Sequence, residues 1–306
     1  MSSPYPSTVT LTVAGCGGFF AGKDQYQSNF VITSEKEGKK PKHLLFDCGT
    51  DAKFSLGELG LFPKDIDAVY VSHQHGDHMG GLEWLGFSTY FSGRKMPKPK
   101  LVCEQSLMVD LWEQSLKGSM STLQGKVATL SEFFECHSVS KGGWFLWENI
   151  FFEMVQTIHV LSGFSIKHSY GLRFWPASVD PKAGTATLRR HRGGDMLVGD
   201  PGDEFPMVKE YSNCFPKPPI VFITGDCRFN SPGLYQAYNQ SDIILHDSEM
   251  GAGRSEVHPH YLELYSLPPQ QREKMYLYHC RPSDNEGSIK DGFKGILKKG
   301  QKLELW

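Results

Sequence analysis

Ser72-His73-Gln74-His75-Gly76-Asp77-His78-Met79-Gly80-Gly81 is the stretch on which the reading of this chain turns. It follows the apolar run Ile66-Asp67-Ala68-Val69-Tyr70-Val71, which has the character of a buried strand. His73, His75, Asp77 and His78 are all metal-ligand residue types. At an extended strand end, residues two apart point the same way, so His73 and His75 can grip one ion. The turn at Gly76 carries Asp77 and His78 round to a second ion beside it. Neutral imidazoles with a carboxylate suit zinc, with manganese as an alternative. Two divalent ions about 3.5–4 Å apart can activate water and neutralise charge on a phosphoryl or acyl oxygen. A histidine-rich surface loop would not be expected to place all four ligands between a strand end and a Gly-Gly helix entry.

Composition narrows what surrounds this motif. A chain of 306 residues can bury a large core as one domain, and 39% hydrophobic with 12% aromatic residues fits a globular protein. No apolar stretch approaches the roughly 20 residues of a membrane span. Met-Ser-Ser-Pro-Tyr-Pro at the start lacks the basic and apolar regions of a signal peptide. Seven scattered cysteines, with no Cys-x-x-Cys, point to reduced thiols in a cytoplasm and away from a disulfide framework. The formal charge of −2 disfavours long nucleic acid as a partner, since gripping many phosphates calls for a basic surplus.

Strands are expected at Val9–Val13, Gln27–Ile32, His43–Asp47, Ile66–Val71 and Leu101–Cys103, then at Trp144–Gln156 as two short pieces. Further strands are expected at Gly171–Phe174, Ile220–Ile223, Asp242–Leu245 and Lys274–Tyr278. Helical patterns cover Ser55–Leu61, Trp84–Phe91 and Ser106–Leu116. The stretch of about 176–219, rich in Gly, Pro and charge, reads as an irregular excursion from a single domain spanning 1–306. The turn Gly15-Cys16-Gly17-Gly18 lacks the Lys-Ser/Thr of a phosphate-binding P-loop.

His-x-His-x-Asp-His after a strand resembles the metallo-β-lactamase superfamily of metal-dependent hydrolases. The resemblance implies an α/β fold, a four-layer αββα sandwich, and three further ligands at later strand ends. Asp226 in Ile223-Thr224-Gly225-Asp226 stands where the superfamily keeps a carboxylate shared by both metals, and His279 closes Tyr276-Leu277-Tyr278-His279 as the last histidine ligand. For the remaining ligand the candidates are His159 and His168. His159 is preferred because Phe151–Gln156 leads into it, which leaves His168 as a pocket residue. His73, His75 and His159 are thereby assigned to one ion, Asp77, His78 and His279 to the other, and Asp226 to both. Asp47 in Phe46-Asp47-Cys48-Gly49-Thr50 would brace the histidine loop by hydrogen bonding.

The C-terminal third is similar to tRNase Z-like phosphodiesterases. Ile244-Leu245-His246-Asp247-Ser248 and Val257-His258-Pro259-His260-Tyr261 match their paired segments, with aspartate in place of glutamate and proline after His258. By that likeness Asp247 orients His258, the general acid, with His260 as the fallback; His246, His260, Tyr170 and His168 are candidate substrate contacts. The excursion carries a single basic cluster, Arg189-Arg190-His191-Arg192, offset by nearby acids, where a transfer-RNA nuclease carries a clasping arm. The chain looks most like the anti-Pycsar phosphodiesterases of phages. That resemblance implies hydrolysis of 3′,5′-cyclic mononucleotides to nucleoside 5′-monophosphates, against cyclic-nucleotide immune signalling. It also implies a homodimer and, for a phage-encoded protein, the host cytoplasm. An RNA 3′-processing endonuclease, or an ester, lactone or thioester hydrolase on the same metals, are the alternatives. Phe19 and Phe20 join Tyr170 as candidates for stacking on a base.

Overall fold

Apolar runs punctuated by glycine, proline and charge become strands. A computed structural model describes residues 7–93, 96–177, 196–201, 203, 218–251, 253–280 and 291–306. In chain order the strands begin with β1 (Thr8–Gly15), β2 (Asn29–Glu35), β3 (Lys42–Phe46), β4 (Ile66–Tyr70) and β5 (Lys100–Glu104). A small hairpin of β6 (Thr122–Leu123) and β7 (Lys126–Val127) precedes β8 (Glu135–Val139). Then come β9 (Trp144–Trp147), β10 (Ile150–Ser162), β11 (Ser165–Pro176), β12 (Met196–Gly199) and β13 (Val221–Ile223). The last are β14 (Ile243–Asp247), β15 (Met275–Tyr278), β16 (Gly295–Ile296) and β17 (Lys302–Glu304).

Two large sheets result. One has seven strands in the order β17-β1-β2-β3-β4-β5-β8; the other has eight, β12-β9-β10-β11-β13-β14-β15-β16. Each contains a parallel block, β3-β4-β5-β8 in the first and β13-β14-β15-β16 in the second. Parallel neighbours require crossovers, and the helices Ala52–Glu58, Leu82–Tyr90 and Leu234–Asn239 lie on such crossovers. Period-two alternation then sorts the second sheet's faces. Val221, Ile223 and Leu245 enter a core shared with the first sheet, while Phe222, Ile244 and Leu277 pack with Leu234, Tyr238 and Leu264 of the covering helices. Phe30 meets Tyr278 edge-on at 5.1 Å, and Tyr70 stacks on Phe145 at 6.0 Å, so aromatic rings fill the space between the sheets. The Tyr70 hydroxyl also donates across the gap to the Tyr170 carbonyl at 2.8 Å. This is the four-layer αββα sandwich.

Several expected boundaries move. β10 continues to Ser162 instead of stopping near Gln156, because its long hairpin with β11 supplies hydrogen-bond partners beyond the apolar run. The first helix starts at Ala52, ahead of Ser55. Ser106–Leu116 divides into an α-helix, Gln105–Asp110, and a π-helical stretch, Leu111–Leu116. Inside the excursion, Met196–Gly199 forms β12 against β9, so this part is regular. Most of the rest of that stretch, with the Arg189–Arg192 cluster, lies outside the described residues. Among the described residues, no helix is long and apolar enough to cross a membrane.

Candidate metal centre

Loops leaving the C-terminal ends of the two parallel blocks converge on one place. Asp47 follows β3 and the His73–His78 stretch follows β4 in the first sheet. Asp226, Asp247 and His279 come from the ends of β13, β14 and β15 in the second. Asp47 and His279 both hold left-handed backbone, at φ 61° and 67°, which non-glycine residues adopt at a cost and which here turns each side chain into the centre. His159 arrives differently. It lies within β10 at a bulge, left between the pairs Ile158–His168 and Val160–Lys167, and the extra residue aims its ring inward.

Two sets of ligand atoms form. In one, His73 Nε2 and His159 Nε2 lie 3.0 and 3.1 Å from His75 Nδ1, and 3.9 and 3.8 Å from Asp226 Oδ2. In the other, His78 Nε2 is 3.3 Å from Asp77 Oδ2 and 3.2 Å from Asp226 Oδ2, and His279 Nε2 is 3.6 Å from each. Atoms bound at about 2.0–2.1 Å around a tetrahedral ion stand about 3.3 Å apart, so both sets have the right span for a divalent cation. Buried and without hydrogen bonds are His78 Nε2, His279 Nε2 and Asp226 Oδ1. Such orphaned atoms are costly unless something else engages them. The residues present fit two ions that share Asp226.

The outer nitrogens are tied down, which fixes how the rings face. His78 Nδ1 donates to Asp47 Oδ2 at 2.7 Å, and His159 Nδ1 to the Val257 carbonyl at 3.0 Å. Asp47 also takes the Ser72 amide and hydroxyl at 2.7 and 2.8 Å. The Ser72 hydroxyl in turn lies 3.0 Å from His73 Nδ1. Ser72 escaped the sequence reading; its place directly before the histidines was the available signal. Burial pushes His73 well below the usual imidazole range, brings His75 down to about 4, and lowers His159. These three rings are therefore neutral, as metal ligation requires. Burial opposes charge on His78 too, yet the carboxylates of Asp226, Asp47 and Asp77 hold it well above that range. Despite burial, His279 and His78 keep Asp226 well below the carboxylate range, and His78 does the same for Asp77. A ring of carboxylates that enforces a positive charge at its middle is suited to a cation.

Beside this centre stands a pair of another kind. His258 Nδ1 donates to Asp247 Oδ2 at 2.8 Å, and the fully buried Asp247 takes the Cys227 amide at 3.0 Å on the same oxygen. The His258 ring is 4.4 Å from that of His279 and 5.3 Å from that of His159. Burial works against its charge, but the Asp247 carboxylate raises its pKa to about 9. Its Nδ1 also lies 3.9 Å from Asp226 Oδ2, which sets the ring beside the metal ligands.

Four expected contacts are placed elsewhere. His246 is fully buried, its Nε2 on the Tyr238 hydroxyl at 2.5 Å and its Nδ1 on the Asp247 carbonyl at 2.6 Å, so it has no atom to offer a substrate. His260 caps the helix Tyr261–Tyr265: Nδ1 accepts from the Leu262 amide and Nε2 donates to the Gly251 carbonyl, which removes it as the acid. The Tyr170 ring belongs to the inter-sheet core, and its hydroxyl lies among Glu104, Gln156 and Ser106. His168 bonds the Thr157 carbonyl at 3.2 Å and joins neither ligand set. Phe19, half exposed, rests against Gly76 at the start of the ligand helix.

The model of the family described as "Anti-Pycsar protein Apyc1" matches residues 9–185 and 208–303. An anti-Pycsar protein Apyc1 of Bacillus phage vB_BveM-Goe7 is 30% identical over 97% of this chain and 99% of its own length. Another, from Saccharibacillus brassicae, is 37% identical over 54% of this chain and 62% of its own length. Among solved structures, the metallo-β-lactamase fold protein YhfI from Bacillus subtilis superposes with a TM-score of 0.63. It does so at 17% identity, covering 97% of this chain and 99% of that one, which bears on fold alone.

Proposed function

This chain belongs to the anti-Pycsar Apyc1 family and is a metal-dependent hydrolase of the metallo-β-lactamase fold; from that premise, we propose that it opens 3′,5′-cyclic mononucleotides to nucleoside 5′-monophosphates. The observation that carries the reading is the Asp247–His258 pair beside the second ligand set, with Asp226, Asp247, His258 and His279 offering ligand atoms within 4.8 Å of one another. Hydrolysis of a strained cyclic diester needs a proton donor for the departing 3′ oxygen, and His258 supplies one.

The seven ligands His73, His75, Asp77, His78, His159, Asp226 and His279 would hold two divalent ions, zinc on ligand chemistry. When bound, such ions supply water activation and neutralise charge on the phosphoryl oxygens. The protein's own groups do the rest. Asp77, ionised throughout the neutral range, accepts a hydrogen bond from the attacking water and sets its direction. As the water oxygen bonds to phosphorus the P–O3′ bond breaks, and His258 Nε2 gives its proton to O3′. The proton lost by the water returns His258 to its charged form. Asp247 keeps the imidazole turned so that Nε2, not Nδ1, faces the leaving oxygen. A homodimer in the host cytoplasm is the setting proposed for this reaction, and light scattering at micromolar concentration reports the dimer; a monomer refutes it.

The test incubates metal-loaded protein with cyclic AMP, GMP, CMP and UMP and, in parallel, a 3′-extended transfer RNA. Turnover of at least one cyclic nucleotide is expected. Cleavage of the RNA with all four cyclic nucleotides untouched would overturn the reading.

A further inference from the structure

Next to His258 opens a cavity of about 280 Å³, and its walls do not match a continuing phosphodiester chain. Glu249, Glu256 and Glu263 line it together with Arg228, Arg254 and the ring of Phe229. Three carboxylates against Arg228, Arg254 and the His258 imidazolium leave the walls without the basic surplus that a run of phosphates calls for. The same walls are rich in acceptors and donors for an uncharged ligand with hydroxyl and ring-nitrogen groups. Two of the carboxylates are held in place: Glu249 accepts from the Ser255 amide at 2.7 Å, and Glu263 from the His260 amide at 2.8 Å. Glu256 stands in left-handed backbone at φ 62°, a conformation unusual for glutamate, two residues before His258.

Arg228 is the telling residue. It follows the shared ligand Asp226 by two positions, and its backbone amide is fixed to the Ile158 carbonyl at 2.7 Å, beside the bulge that carries His159. Its half-buried guanidinium has no ion pair or side-chain hydrogen bond among the described residues. Its donor fork is therefore available to a ligand in the cavity. Phe229 beside it packs on the second core cluster and turns its remaining surface to the cavity.

We infer that this cavity is a nucleoside subsite, in which Arg228 donates to acceptor atoms of the base or sugar and Phe229 offers a surface for the ring. The inference rests on the phosphodiesterase reading for its substrate but specifies a new contact: the chain recognises the uncharged part of the ligand from the same side as His258. The volume, close to the lower end of the roughly 300–1,000 Å³ of typical small-ligand sites, is of the order of a single small ligand such as one nucleoside.

Calorimetry on metal-loaded protein separates the possibilities, titrating inorganic phosphate and, separately, AMP, GMP, CMP and UMP as 5′-monophosphates. At least one nucleotide should bind more tightly than phosphate. Arg228→Gln should weaken that nucleotide by about tenfold or more, leaving phosphate within about twofold, with a smaller loss in Phe229→Ala. Because the Arg228 anchor to the fold is its backbone, the variant should melt as the parent does. An equal loss of phosphate affinity, unchanged nucleotide affinity, or nucleotides binding no better than phosphate would each overturn the subsite. Failure of the cyclic-nucleotide reading has a different signature: no turnover of cyclic nucleotides while Arg228-dependent monophosphate binding persists.

Discussion

Two neighbouring histidines on one hairpin show what a single residue's backbone decides. His159 and His168 were both candidates from sequence, because a strand end and a strand bulge leave the same composition behind. The bulge at His159 brings its Nε2 to 3.1 Å from His75, whereas His168 points at the Thr157 carbonyl. His159→Ala should therefore lose one equivalent of metal by elemental analysis, and His168→Ala should lose none; the opposite result would reassign the ligand. Asp226→Ala, which removes the carboxylate common to both sets, should lower metal content further and abolish turnover. His258→Ala should keep its metal and lose about 10²–10⁴-fold in kcat on a natural diester. With a p-nitrophenyl leaving group, which needs no protonation, the loss should be small. Equal losses on both substrates would remove the acid role. The contiguous motif was readable because it follows an apolar run at ligand spacing, whereas Asp226 and His279 were expected from the family resemblance, which looks for ligands just past later strands. His246 and His260 misled because a histidine in a loop gives no sign of whether its nitrogens are already bonded within the fold.

Strands were legible where alternation or an unbroken apolar run was long, which is why β1, β3, β4, β13, β14 and β15 fall close to where they were expected. Short edge elements were not: β12, β16 and β17 have four, two and three residues, and β12 and β17 find their partners, β9 and β1, in distant sequence. Between elements, the decisive contact is backbone on backbone. The Cys48 amide bonds the His78 carbonyl at 2.7 Å, and the Gly81 amide bonds the Cys48 carbonyl at 2.8 Å, which clamps the loop after β3 against the helix Gly76–Met79. At Gly49 a Cβ would lie 2.3 Å from the Asp77 carbonyl oxygen, closer than any side chain can come. Gly49→Ala must therefore displace the Asp77 backbone or the loop that packs on it. Competition with a chelating dye should show metal affinity about 10–100-fold weaker, the cost typical of disturbing groups that orient ligands. Wild-type affinity in this variant would mean that the clamp does not govern ligand position.

At the scale of the whole molecule, the ligand set is divided between the two sheets. His73, His75, Asp77 and His78 hang from the first sheet, and His159, Asp226 and His279 from the second. Ions held between them would fasten the sheets at one end, while the aromatic core around Tyr70, Phe145 and Tyr278 fastens them along their faces. A ligand that binds only the folded chain adds about 2.7 kcal/mol when present at a hundred times its Kd, so two ions coupled through Asp226 would add at most roughly twice that. At about 2.1 cal/mol/K per residue, a chain of 306 residues shifts by about 1.6 °C per kcal/mol, so chelation should lower Tm by up to about 8 °C, and added zinc should restore it. The core does not depend on the ions, and near-native secondary structure should survive chelation at 25 °C. Scanning fluorimetry and circular dichroism on the same sample decide the matter. An unchanged Tm after complete metal removal would mean that the ions do not join the sheets, and unfolding at 25 °C would mean that the aromatic core cannot hold them together alone.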